Sequence, residues 1–171
     1  MTATETVDTD APSITEFQIA QEVVIDAPRE KVWEALTSEI DQWWSKRLHH
    51  SIGESTLSLE PRVGGSFIER WGNYEGALWG TVIFIKKPEM LRLNGPLGMI
   101  EAPVNSVYSY ELQKDGDGTL LKLTHHACGP IKPEWYAGYS AGWTELLGSH
   151  LKEYVEQGKT RQDVKTDVQT S

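Results

Sequence analysis

Residues 134–157 constrain the fold of this chain more than any other segment, because good helix formers there carry apolar side chains at steps of three and four. Tyr139, Trp143, Leu146, Leu147, His150, Leu151 and Tyr154 fall along one face, while Lys152, Glu153 and Glu156 take the other. At ~1.5 Å per residue such a helix is about 35 Å long. It cannot bury its stripe on itself, so the rest of the chain has to present an apolar surface of matching length.

That surface is predicted from the segments before it. Short β-rich runs at 56–60, 65–71, 77–85, 90–94, 104–112 and 119–127 are separated by Pro61, Gly64-Gly65, Gly72-Asn73, Pro88 and Gly95-Pro96, residues that turns require. Asp115-Gly116-Asp117-Gly118 marks a hairpin between the last two runs. An earlier β-branched run at 17–25 predicts a first strand. Pro28 suits the first position of a helix, Glu30 its positive end, and Val32, Trp33 and Leu36 its spacing. Ser38 is placed to cap a second short helix through Ile40, Trp43 and Trp44. The order strand, two short helices, six strands and long helix predicts an α+β helix-grip fold. In it, a curved antiparallel β-sheet of about seven strands wraps around the C-terminal helix.

Residues 1–15 hold three acids and no base, and are expected to form a disordered acidic leader. The folded domain is expected at 16–157, with Gly158 ending the helix and 158–171 forming a polar tail. A length of 171 residues suits one such domain. The net charge is −9 and lysines and arginines are scattered, so no basic stripe can neutralise a phosphate backbone, and nucleic acid is excluded as a partner. The same acidity disfavours anionic membrane surfaces, and no run approaches the roughly 20 apolar residues of a bilayer span. The acidic start lacks the basic and apolar regions of a secretory signal, which predicts cytoplasmic residence. Cys128 is the only cysteine and is expected as a packed thiol.

Several pieces resemble a known family when taken in order. These are Val23-Val24-Ile25-Asp26-Ala27-Pro28 running into Val32-Trp33-Glu34-Ala35-Leu36-Thr37, then Val63-Gly64-Gly65-Ser66-Phe67, then Trp79-Gly80-Thr81-Val82 with Pro88 and Leu91, then Gly142-Trp143 with Leu147 and Leu151. As a set spanning 17–157 they look like the START-like (SRPBCC) superfamily, and most like the branch named for the activator of heat-shock-protein-90 ATPase homologue. The resemblance implies a cavity between sheet and helix, used across the superfamily for lipids, sterols, polyketides and plant hormones. It does not imply a reaction, and nothing here matches the Rieske cluster or iron site of the oxygenase subunits in that superfamily.

Seven Trp and six Tyr against three Phe supply large rings with one polar atom each, as a pocket needs. The expected ligand-binding set is Trp43, Trp44, Phe67, Trp71, Trp79, Tyr108, Tyr110, His125, Tyr139, Trp143 and Leu147. Strand alternation turns Lys122 to water and Leu121, Leu123 and His125 to the concave face, and it groups Glu69 with Phe67 and Trp71. His125 is either a base or ligand donor, or a hydrogen-bonded core residue. Glu69 is either an inward carboxyl with a raised pKa or a solvated or Arg-paired group near the rim. Either one of Trp43 and Trp44 covers the cavity mouth while the other packs, or both cap the core. No metal site is expected from His49-His50 or His125-His126, since neighbouring strand residues point to opposite faces and neither pair has a Cys or carboxylate at ligand spacing. Gly64-Gly65 lies between strands and opens no helix, so no nucleotide cofactor is expected.

The leading expectation is a protein that binds a small hydrophobic or aromatic molecule. The competing one is a cyclase, dehydratase or hydrolase on an aromatic or polyketide-like substrate, with Glu69 and His125 as acid and base within reach of each other. A chaperone-interaction module follows from the branch name alone. Formation of a homodimer is left open.

Overall fold

Alternation of burial builds the sheet. From Thr119 to Ala127 every odd-numbered side chain is buried, and the even-numbered ones between them are half-buried or exposed. Leu121, Leu123 and His125 therefore share the inner face, as the pattern around Lys122 predicts. Cys128 follows the same rule to the outside. It is exposed, which corrects the expectation of a packed thiol, and the reason is its parity with His126.

The computed structural model describes residues 14–51 and 53–163. Most of the leader expected at 1–15 and of the tail expected at 158–171 lies outside the described residues. Seven strands form one sheet: β1 (Thr15–Ile25), β2 (Thr56–Leu59), β3 (Ser66–Arg70), β4 (Gly76–Lys86), β5 (Met90–Gly95), β6 (Asn105–Asp115) and β7 (Gly118–Gly129). The first strand thus begins at Thr15, inside the stretch read as leader. The spatial order is β1-β7-β6-β5-β4-β3-β2, with every neighbouring pair antiparallel. A two-residue loop joins β6 to β7, with Gly116 at a φ of 58° in the first central position, the place a type II′ turn gives to glycine. Register shifts at Phe67/Ile68 and at Val82/Phe84 add local twist where the sheet bends.

Strands β1 and β2 are consecutive in sequence yet sit at opposite edges. Helices α1 (Arg29–Leu36) and α2 (Ile40–Trp43) carry the chain between those edges, burying Val32, Trp33, Leu36, Ile40 and Trp43. Ser38 does not cap α2. Its hydroxyl donates to Glu34 Oε2 at 2.8 Å, one turn back, because Glu39 occupies the position before the helix.

The C-terminal helix has three parts: α3 (Pro133–Glu145), a π-helical turn (Leu146–Leu151) and α4 (Lys152–Gln157). The sequence predicts one continuous α-helix, and apolar spacing alone does not reveal the wider turn. Leu146, Leu147, His150 and Leu151 are all buried in it, so the predicted stripe does face the sheet. Gly158 ends α4 at a φ of 72°, its N–H donating to the Tyr154 carbonyl at 2.9 Å. Beyond it Arg161 makes a two-pronged ion pair with Asp41 at 2.7 and 3.0 Å, while Asp41 Oδ1 also accepts the Leu57 N–H. None of the described helices is long and apolar enough to cross a membrane.

Two glycines allow the sheet to close tightly beneath the site. A Cβ on Gly80 would overlap the Tyr108 hydroxyl, and one on Gly95 would come within 2.6 Å of the Gly80 Cα. The space they leave lets the buried Tyr108 hydroxyl donate to the Trp79 carbonyl at 3.2 Å. Replacing Gly80 with Ala overpacks this point and should destabilise the fold by about 1–3 kcal/mol in urea unfolding. Adding Tyr108→Phe to Gly80→Ala should recover part of that loss, a coupling that a double-mutant cycle reads directly.

Candidate functional site

Three segments meet at one end of the concave face. Helix α2 stops at Trp43, Trp44 continues in extended conformation, and a short helical turn at Lys46–Leu48 leads to His49 and His50. Strand β4 contributes Trp79, and the turn after β5 contributes Leu97 and Gly98. Helix α3 forms the third side with Trp135, Gly138, Tyr139, Gly142 and Trp143, between Glu134 at one end and Leu146 at the other. Together they line a cavity of about 350 Å³, near the lower end of the roughly 300–1,000 Å³ usual for small-molecule sites.

Trp44 is the hub of the wall. Its ring meets Phe67 at 5.5 Å, Trp79 at 5.8 Å and Trp143 at 6.0 Å, all edge to face, the arrangement that ring quadrupoles favour. Trp43 turns into the core, where its indole N–H donates to the Ala35 carbonyl at 2.7 Å.

His125 lies fully buried behind Trp143. The Trp143 indole N–H donates to Nδ1 of His125 at 3.1 Å, and since an indole nitrogen can only donate, Nδ1 carries the lone pair. The ring proton therefore sits on Nε2 and is donated to Ser106 Oγ at 3.0 Å. Burial, helped by nearby His126, lowers the pKa of His125 to about 4, so the ring is neutral at pH 7. Its polar atoms are both engaged, and Phe17 and Tyr139 pack edge-on against it at 5.1 and 5.4 Å.

The turn after β5 is held from both sides. Leu97 has a φ of 45°, a left-handed conformation that costs a non-glycine residue about 1–2 kcal/mol. Its N–H donates to the Trp79 carbonyl at 2.9 Å, and its own carbonyl accepts the Tyr139 hydroxyl at 2.7 Å. Burial pushes the Tyr139 pKa up to about 12, so that hydroxyl stays a donor.

Glu69 points inward from β3 and is fully buried. Burial alone would raise its pKa. The N–H groups of His50 and Ser51, at 2.7 and 3.0 Å, together with Ser55 and His49, outweigh that effect and hold the carboxyl below its ordinary value. Its role is thus to fasten the loop of His49–Ser51 to the sheet. His49 Nδ1 lies 2.7 Å from Ser55 Oγ and 3.5 Å from Glu69 Oε1. Burial lowers the pKa of His49 and the attraction of Glu69 does not fully offset it.

Residues 26–156 match the family described as Activator of Hsp90 ATPase homolog 1-like protein. The chain belongs to that family. No curated protein matches its sequence. Solved structures resemble it in fold. The Aha1 dimer from Colwellia psychrerythraea shares 21% identity over 84% of this chain and 98% of that one, with a TM-score of 0.61. CalU16 from Micromonospora echinospora shares 22% over 90% of this chain and 82% of that one, with a TM-score of 0.53. DynU16, from the dynemicin biosynthetic locus, shares 22% over 84% of this chain and 49% of that one, with a TM-score of 0.60.

In this family member, Trp44, Trp79, Tyr139 and Trp143 stand on the cavity wall. Trp43, Phe67, Tyr108, Tyr110, Leu147 and His125 are buried behind it, because the helix and the Trp44 segment cover the deeper part of the concave face. Trp71 keeps the parity of Phe67 but falls beyond the end of β3, where it is half-buried and stacks on His50 at 5.9 Å. Glu69 and His125 are not brought together. Strands β3 and β7 are four strand spacings apart, roughly 19 Å along the sheet. Glu69 is also neither solvated nor paired with an Arg; its histidine neighbour is His49. Among the described residues no three His, Cys, Asp or Glu side chains gather as metal ligands do.

Sequence reasoning missed Leu48, His49, His50, Leu97, Gly98, Glu134, Trp135, Gly138, Gly142 and Leu146 as wall residues. The loop residues follow no period. A signal did exist on the helix, where Gly138, Gly142 and Leu146 recur at steps of four beside the aromatic stripe.

Protonating His125 would break its acceptor role toward Trp143. Its folded pKa of about 4 lies below the unfolded value of 6.5, so unfolding takes up a proton between those values. The stability it confers is complete above about pH 6.5 and falls by on the order of 3 kcal/mol as the pH drops to about 4. His49 contributes with the same sign. Urea unfolding across this range should show the decline in the natural chain and a shallower one in His125→Gln.

Proposed function

We propose that this chain binds a small, largely apolar aromatic molecule in the cavity between the sheet and the C-terminal helix, with Trp44, Trp79, Tyr139 and Trp143 as contact residues. The observation that carries this reading is the bare helix surface at Gly142, half-buried on the cavity wall, with the exposed Gly138 one turn earlier at its rim. A Cβ at either position would meet nothing within 4 Å. Each glycine costs a helix interior about 1 kcal/mol relative to alanine. No close approach of backbone requires them there, and what their lack of a side chain supplies is room on the cavity wall. Around that room stand four indoles and a phenol, surfaces suited to flat apolar rings.

The setting of DynU16 in a biosynthetic locus is in keeping with a fold that handles small molecules. A chaperone partner rests on the family's name and involves no particular residue of this chain. Binding needs no catalytic pair, in keeping with the separation of Glu69 from His125.

Native mass spectrometry of the purified chain should show a retained small molecule, and titration with naphthalene derivatives should quench Trp fluorescence. In Gly142→Leu the cavity is filled from the helix side. That variant should keep or raise the melting temperature, because leucine is the better helix former. It should also lose at least about tenfold in affinity, which is 1.4 kcal/mol. Unchanged affinity in a folded Gly142→Leu protein would remove the reading.

A further inference from the structure

We infer that the cavity selects an aromatic amine in its ammonium form, with the flat rings along the bare strip of α3 and the positive charge at the carboxylate of Glu134. This rests on the ligand-binding reading above and adds the charge of the ligand and where that charge sits.

Glu134 belongs to the cavity wall and is exposed, so a molecule in the hollow can reach it. It makes no ion pair among the described residues. Other acids next to the wall are answered: Glu145 by Arg47 and His150, and Glu69 by the N–H groups of His50 and Ser51. A place in the first turn of α3 suits an acid, because the helix end is positive, yet it brings no side-chain cation to Glu134. Glu134, Gly138 and Gly142 follow one another at steps of four, which stacks them in one row on the helix. At ~1.5 Å per residue, Glu134 stands about 12 Å along the axis from Gly142. Rings lying over the glycines therefore need only a short chain to carry a charged end to the acid.

The sign of that charge follows from the rest of the wall. Among its described residues there is no Lys or Arg, and Glu134 is the single acid. Burial lowers the pKa of His49, so that ring is neutral at pH 7. Trp135 and Tyr139 are only half-buried on the wall and keep ring surface open, and aromatic rings attract cations. Trp135 already draws one: Lys132 Nζ stands 5.7 Å from its ring centroid, although Lys132 is not itself a wall residue. The whole chain carries a net charge of −9, a field that gathers cations and repels anions. A carboxylate ligand would meet Glu134 with no wall cation to offset it. An ammonium group gains an ion pair and aromatic neighbours.

The test is calorimetric titration of the full chain at about pH 8, above the ordinary histidine range. Three probes share one body and differ in their end group: naphthylethylamine, naphthylethanol and naphthylpropionate. The amine should bind at least about fivefold more tightly than the alcohol, the combined effect of an exposed ion pair and a cation–π contact. The carboxylate should bind more weakly than both. In Glu134→Gln the amine should lose at least about threefold, the ion-pair share of that preference, while the alcohol keeps its affinity and so reports a folded cavity. In Glu134→Lys the order should invert, with the carboxylate above the amine. Raising the salt from about 0.05 to 0.5 M should narrow the gap between amine and alcohol, since exposed charges are screened. Equal affinity for amine and alcohol, or an amine preference that survives Glu134→Gln undiminished, overturns this inference and leaves the ligand-binding reading standing. Failure of all three probes to bind overturns both.

Discussion

The hydrogen bond from the Trp143 indole to Nδ1 of His125 sets how closely the long helix rides over the concave sheet. Apolar contact alone would let that helix settle wherever its stripe found most cover. Here its position is fixed by polar ties that tolerate little displacement, because each buried partner left unpaired is costly. Two further ties act along the same helix: Gln21 Nε2 donates to the Ser140 carbonyl at 2.8 Å, and the Tyr139 hydroxyl donates to the Leu97 carbonyl. Between and beside them Gly138 and Gly142 present backbone without side chains. The result is a helix held at a distance, and the hollow follows from that distance.

The two ends of the domain are built on different terms. Toward α1 and α4 the concave face is packed solid by Trp33, Leu36, Leu112, Leu121, Leu151 and Val155, with no side chain among them more than 1% exposed. Toward α3 the large rings are held apart by edge-to-face contacts around Trp44, which leave gaps that aliphatic packing would close. The first region is closely packed, whereas the second is incompletely filled. Leu97 in its left-handed conformation belongs to the second region and is a local strain of the kind that a rigid surround sustains.

Much of this was legible in the sequence. Strand alternation placed Leu121, Leu123 and His125 inward, and helical spacing put Trp143 and Leu147 against the sheet, because period and burial are coupled in regular elements. It failed where the chain leaves regular elements. Glu69 was correctly read as sharing a face with Phe67, yet its partners come from the loop at His49–Ser51, whose path depends on the turn at Lys46–Leu48 and on contacts no period encodes. The choice between Trp43 and Trp44 was equally hidden. It turns on α2 ending after a single turn, which sends one ring to the Ala35 carbonyl and the other to the wall. The π-helical turn left no mark in the sequence, since four buried residues at 146, 147, 150 and 151 suit an ordinary helix as well.

Strand β1 pairs with β7 over eleven residues, from Thr15 opposite Gly129 to Ile25 opposite Thr119, and has no other neighbour among the described residues. During synthesis β1 therefore leaves the ribosome with its hydrogen-bonding edge unmatched. Its partner follows only after about a hundred more residues, roughly 5–20 s at ordinary elongation rates. Through that interval Phe17, Ile19, Val23 and Ile25 are without the core that later covers them. The meander from β2 to β6 can form as it emerges, whereas closure of the sheet must await almost the whole chain.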